Sequence, residues 1–399
     1  MPARTMGSRP HLPGRRTATR WLAIAGALLA VARAWAASPE DAALHAWLGD
    51  DVALTARAYA RALAGVEDLH VAVTRFLDAP SESTLSAARE AWRRSRESYE
   101  PTEVFRFSDG PIDGDSALAG REGPENRINA WPVDEAYLDS VAGSPRGGII
   151  PQLATPMDRA TLEGAHGSHD VTEVTLGFHA IEFLLWGQDS DTVTAGRRPY
   201  TDFVAGNPVR DRRRMCLAIL SQLLVEDLGA VAREWGPGPE RYAARFLRLP
   251  PLEALRRVLT GAVTLSGYEL ASERIGVPLA TRSPEDEQSC FSDNTVRDLS
   301  SNIDGLALVI EGDGESPGIL PVFHALDPGL ANEVRNRLDT VRQRIFDVPA
   351  PFDAIILSSV DDPRRRRYQA LAGELIGLSG ALRRAGARAG VTVTIGGGG

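Results

Sequence analysis

The 399 residues are 43% hydrophobic and 24% charged, enough apolar material for a packed core and too much for a wholly disordered chain. The net charge is −9, and all 44 basic residues are arginine. An acidic body disfavours nucleic acid and anionic lipid as partners, and the lack of lysine excludes Schiff-base and P-loop chemistry. Abundant alanine, leucine and arginine favour helices, because these residues lose little rotamer freedom there.

The chain opens on a segment that reads as an export signal. Arg4, Arg9, Arg15, Arg16 and Arg20 precede a short apolar run, Trp21 to Ala32, and Ala34-Trp35-Ala36 supplies a small-x-small cleavage pattern. Cleavage is expected after Ala36, giving a protein of the periplasm or cell envelope. No cysteine near that point offers a lipid anchor, and Arg15-Arg16 leaves Sec and twin-arginine export both open. No later segment is expected to be long and apolar enough to cross a bilayer.

In chain order, residues 40–78 carry Tyr59, Leu63, Val66, Leu69, Val73 and Phe76 at spacings of three and four, which predicts an amphipathic helix. Ala79-Pro80-Ser81 breaks it. Ser83 or Thr84 is placed to cap a second helix bearing Leu85, Ala88, Trp92 and Tyr99, which Pro101 interrupts or kinks. Loop is expected over 108–129, a helix start after Pro132 with Asp134 and Glu135, and loop again over 143–170. Val171 to Trp186 predicts a buried helix, 187–207 a polar loop, and Asp211 to Glu234 a strong helix. Gly236-Pro237-Gly238-Pro239 is the clearest internal break, and places a domain boundary between 37–235 and 236–399. Further helices are expected near 251–274, 294–308, 328–346 and 364–388, before a tail of four glycines. Sheet content should be low.

Cys216 and Cys290 are two separate buried thiols or, in an oxidising compartment, a disulfide. The chemistry concentrates in Gly177-Phe178-His179-Ala180-Ile181-Glu182-Phe183-Leu184-Leu185-Trp186-Gly187. Residues three apart on a helix point the same way, so His179 and Glu182 can face one ion or hydrogen-bond each other. Roughly 0.4 HxxE matches arise by chance in a chain of this composition, so four letters alone are weak. A core histidine bonded to a glutamate is the competing reading. Glu67 and His70 form an ExxH and read as a solvated face; His166 and His169 read as loop residues. Neither HExxH nor G-x-S-x-G is present, and a zinc hydrolase needs about three protein ligands where two are evident.

Gly177 to Asp189 resembles the GxHxxE hallmark of the imelysin family. Arg96 to Tyr99, Glu103, Phe105-Arg106-Phe107 and Gly110 to Asp113 resemble its first block, and Asn129-Ala130-Trp131-Pro132 with Asp134-Glu135 its second. Glu285 to Ser289, then Phe291 to Thr295 and Asp298, resemble a late block. The resemblance spans about residues 45–385. It implies an all-α fold of two helical-bundle domains, with a site near their interface, in a family of iron-regulated and iron-uptake-associated envelope proteins historically classed as metallopeptidases. On that basis His179 and Glu182 are the expected metal ligands, with Glu103, Arg106, Ser292 and Asp293 accessory. Iron is the implied metal, with zinc and copper open, and other envelope iron-uptake components are implied as partners. Ser292 and Asp293 could instead cap the helix beginning near Thr295, and Glu103 and Arg106 could form a plain i,i+3 pair. A metallopeptidase and a metal-free structural module remain the alternatives.

Overall fold

A computed structural model describes residues 39–114, 123–191 and 194–395. The export segment and the final four glycines lie outside them. Among the described residues there is no β-strand, only two isolated bridges, Val141 to Ser144 and Gly312 to Pro317. The expected all-α architecture is observed.

The first helix, α1 (Pro39–Asp78), buries Tyr59, Val66, Leu69, Val73 and Phe76 on the predicted stripe. It packs along α2 (Glu82–Tyr99). Ser81, rather than Ser83 or Thr84, caps α2: its hydroxyl accepts from Thr84 N while the Thr84 hydroxyl accepts from Ser81 N, so two otherwise unpaired donors are satisfied reciprocally. Proline at 101 ends the regular helix at Tyr99, and Glu100–Phe105 continues as a 3-10 turn.

The loop expected over 143–170 contains a short helix, Arg159–Ala165, started by Asp158, whose carboxylate accepts from Thr161 N. The central helix α3 (Gly177–Trp186) begins six residues later than predicted and is buried at every position. It lies against α2 and α4 (Pro208–Trp235). Asn207 caps α4, with Pro208 at its first position. By length and composition α4 could cross a membrane, contrary to the expectation for the mature chain, yet half of its apolar window is buried and it packs on α1. Its apolarity is spent on the core.

Beyond the Gly-Pro break, α5 (Pro251–Thr264) passes into a π-helical stretch, Leu265–Gly276, in place of one regular helix to 274. Then come α6 (Thr295–Glu311), α7 (Pro328–Asp347) and α8 (Pro363–Arg388). The turn Glu100–Phe105 packs against α6, and α8 against both the π-helical stretch and α7. Gly305 permits the first contact: a Cβ there would stand 2.5 Å from the Pro101 carbonyl oxygen. Cys216 and Cys290 are both free thiols.

One buried acid on α1 tests this packing. Burial pushes the Asp51 carboxyl up to about 7 from an ordinary 3.8. Its folded value exceeds its unfolded one, so its ionisation costs folding stability as pH rises from about 4 through 7. Asp51→Asn should gain on the wild type across that window by up to about 4 kcal/mol, taking 1.36 kcal/mol per unit. Urea unfolding at pH 4, 6 and 8 checks this; an unchanged difference would show that Asp51 is hydrated.

Candidate functional site

The start of α3 depends on Gly177. Its φ is +82°, and a Cβ would fall 2.4 Å from the Ile128 carbonyl oxygen and 2.7 Å from that of Arg127. The helix therefore begins pressed against the Glu125–Asn129 turn, which no side chain allows. Trp92 on α2 holds it from the other side, donating its indole N–H to the Phe178 carbonyl at 2.9 Å. Gly187, at φ +75°, ends the helix.

The fixed helix brings His179 and Glu182 together at 2.8 Å between Nδ1 and Oε2, with relative exposures of 1% and 0%. The other carboxyl oxygen, Oε1, accepts from the Ser292 amide at 3.0 Å and from the Ser292 hydroxyl at 2.6 Å. Ser292 therefore does not cap α6. Asn294 occupies the cap position with no side-chain bond to the helix backbone, its Nδ2 donating instead to Asp298, and the Ser292 hydroxyl ties the turn before α6 to α3. Burial pushes the Glu182 carboxyl up to about 8, against the pull of the Ser292 donors. Burial also holds the His179 imidazole well below its usual range, with the positive charges of Arg96 and Arg274 adding to the effect. Below about pH 8 the carboxyl proton is donated to Nδ1; above it, Nδ1–H donates to the carboxylate. In both states Nε2 is buried and has no hydrogen-bond partner.

Behind the pair lies a network of buried charge. Arg96, with no exposed surface, contacts Glu100, Asp298 and the side-chain oxygen of Asn129. Arg274 reaches Glu103 at 2.6 Å and Glu100 at 3.2 Å. Glu103 also accepts from the Tyr99 hydroxyl at 2.7 Å and from Arg106 at 3.3 Å, and these partners hold it down to about 2 although burial alone would raise it. The expected Glu103–Arg106 pair is therefore real but belongs to a larger set: Arg106 also meets Asp113 and Glu125. Glu103 and Arg106 are held in this network and form no bond with His179 or Glu182.

Asp293 stands beside Ser292, with a carboxyl oxygen that has no partner, and groups with Asp189 and Asp353. One oxygen from each lies within 4.8 Å of the others, and this is the one set of three such ligand atoms found among the described residues. Burial and the neighbouring carboxylates push Asp293 up to about 7. Asp189 closes the GFHAIEFLLWGQD run and is legible in retrospect; Asp353 is 60 residues from Asp293 and no motif marks it. Sequence reading likewise passed over Arg274, one arginine among 44 basic residues. His166 is a latch, its Nε2 against Asn126 O and its Nδ1 accepting from Thr175 N, while His70 meets Ser221.

An all-helical body carrying a buried HxxE pair on a glycine-started helix is the arrangement the imelysin hallmark describes. The imelysin family model matches residues 55–382, and the chain belongs to that family. Iron-regulated protein A of Synechococcus elongatus is 29% identical over 313 residues, covering 75% of this chain and 74% of that protein. Two solved structures share the fold. An iron-regulated protein A precursor from Parabacteroides distasonis has a TM-score of 0.66 at 19% identity, and an imelysin-like protein from Psychrobacter arcticum one of 0.60 at 14%. Each alignment covers 88% of this chain and 97% of the other.

Gly177→Ala should destabilise the protein by about 3 kcal/mol or more, since it combines a left-handed backbone with a Cβ inside two carbonyl contacts. Urea unfolding measures the loss. A loss under about 1 kcal/mol would mean that α3 starts elsewhere.

Proposed function

We propose that this protein is exported to the cell envelope and there holds iron or another first-row transition metal, with His179 Nε2 as its nitrogen ligand. The observation that carries the reading is a buried imidazole nitrogen left without a partner while a carboxylate grips the opposite nitrogen. A ligating histidine characteristically gives its second ring nitrogen to a carboxylate, which fixes the tautomer and raises the basicity of the first. Glu182 is placed for that task, and Ser292 fixes Glu182. In this geometry Glu182 orients the ligand rather than sharing the ion with it. The neighbouring Asp189, Asp293 and Asp353 add carboxylate oxygens close to Ser292. The iron-regulated name of the Synechococcus relative supports iron, and a role beside other iron-uptake components of the envelope fits that choice. Arg96 and Arg274 oppose a cation at His179, so an anionic partner ligand or the acidic trio is needed to offset them.

No observation favours a peptidase. Hydrolysis at a bound metal needs further protein ligands, an open position and a base, and the described residues bring no third ligand atom into a group with His179 and Glu182.

Metal content and competition titration of the mature chain test the proposal. One ion per chain is expected. His179→Ala should weaken binding at least 100-fold, and Glu182→Gln by about 10- to 100-fold. Occupation of Nε2 needs Nδ1–H to donate to an ionised Glu182, so one proton leaves whenever that carboxyl starts protonated. Affinity should therefore rise about tenfold per pH unit from pH 6 and level off near 8, where Glu182 ionises unaided. A wild type without metal at micromolar supply, beside variants that are merely less stable, leaves the pair as core architecture. An affinity flat in pH would place the ion away from Nε2.

A further inference from the structure

A cleft of about 920 Å³ opens near the N-terminal end of α3, between the Glu125–Asn129 turn with its following residues and the π-helical stretch Leu265–Gly276. Leu176 lines it; His179 and Glu182 do not. It therefore lies apart from the proposed metal ligands.

Its floor carries an unsatisfied donor. Asn129 is 2% exposed and lines the cleft. Its Oδ1 faces the Arg96 guanidinium, which can only donate, so the amide orientation is fixed. That leaves Nδ2 with its two hydrogens and no partner. A buried donor left unpaired costs about 1–3 kcal/mol, and a ligand oxygen placed there would recover it.

The walls supply charge of one sign. One guanidinium, Arg106, already serves Glu103, Asp113 and Glu125, while Arg127 is taken by Glu163 and Asp227. Across the cleft the π-helical stretch presents Glu269 and Glu273 with Tyr268. Burial raises the Glu269 carboxyl and pushes Glu125 up to about 7, so both gain from a cation that enters. Trp131, half-buried, adds an indole surface on the Asn129 side, and a guanidinium is the cation that best combines ion pairing with aromatic contact.

We propose that this cleft binds a basic peptide, taking an arginine side chain against Glu269 and Glu273 beside Trp131 and Tyr268, and a backbone carbonyl on the free amide of Asn129. The two requirements, a cation and a hydrogen-bond acceptor on one ligand, separate it from a bare metal ion and from a simple polyamine. The site uses neither His179 nor Glu182, so its fate is independent of the metal reading.

Calorimetric titration of the mature chain with N-acetylarginine amide tests the proposal, beside the isosteric N-acetylcitrulline amide, which keeps the carbonyls and lacks the charge. The arginine probe should bind with a submillimolar Kd at 50 mM salt, and the citrulline probe at least tenfold more weakly. Glu269→Gln with Glu273→Gln should weaken the arginine probe at least tenfold, and Trp131→Leu several-fold, while His179→Ala leaves it unchanged. Circular dichroism confirms folding, and Glu273→Gln alone, with an expected loss of at least threefold, serves if the double variant fails to fold. Absence of binding at millimolar probe, equal binding of citrulline, spermidine binding as tightly as the arginine probe, or a folded Glu variant that binds like the wild type would each overturn it.

Discussion

Two guanidiniums buried side by side, Arg96 and Arg274, set the conditions for everything around them. A buried charge without partners is prohibitively costly, so carboxylates must converge from distant parts of the chain. Glu100 and Glu103 come from the turn after α2, Asp298 and Asn302 from α6, and Arg274 itself from the π-helical stretch. The network thereby fastens the first helices to the later ones. Removing one member leaves the others uncompensated, which makes the arrangement all-or-none. The same two positive charges, with burial, keep His179 neutral. A neutral imidazole is what a metal ligand has to be. The structural core and the chemistry of the site are thus one electrostatic problem, solved once.

Glu182 joins these two roles. One oxygen meets His179 and the other receives both donors of Ser292, so the turn before α6 and the helix α3 share a carboxyl group. The helix itself is a plug with an opening near each end. Asp189 to Asp191, after its C-terminal end, border a small pocket that Asp353 also lines. Near its N-terminal end lies the Asn129 cleft. Neither His179 nor Glu182 lines either of them.

Much of this was legible in the sequence, because the signals concerned are local. Stripes such as Tyr59 to Phe76 depend on neighbours a few residues away, and they placed the long helices within a few residues of their ends, whereas the cap of α2 fell at Ser81 rather than at Ser83 or Thr84. The pair His179 and Glu182 was visible for the same reason. What spacing leaves open is which of two geometries the pair takes, and that is decided by Ser292, 110 residues further on. Likewise Ser292 is placed by local rules to cap the following helix, and its tertiary partner Glu182 overrides that. The short Arg159–Ala165 helix was missed because its seven residues bury only Leu162 and so leave no stripe. The passage of α5 into a π-helical stretch has no periodic sign at all, and Arg274 and Asp353 gain their roles only through packing.

The central claim is that burial and two guanidiniums hold His179 neutral while Glu182 keeps a proton to exchange with it. Nitrogen-15 NMR of histidine-labelled, metal-free protein tests it most directly, with the His179 signals assigned by their loss in His179→Ala. At pH 6 the ring should be neutral and protonated at Nε2, and its proton should move to Nδ1 as pH passes about 8 and Glu182 ionises. An imidazolium at pH 6, titrating near the ordinary value, would contradict the account, since it would place His179 in contact with water or beside a carboxylate that ionises freely.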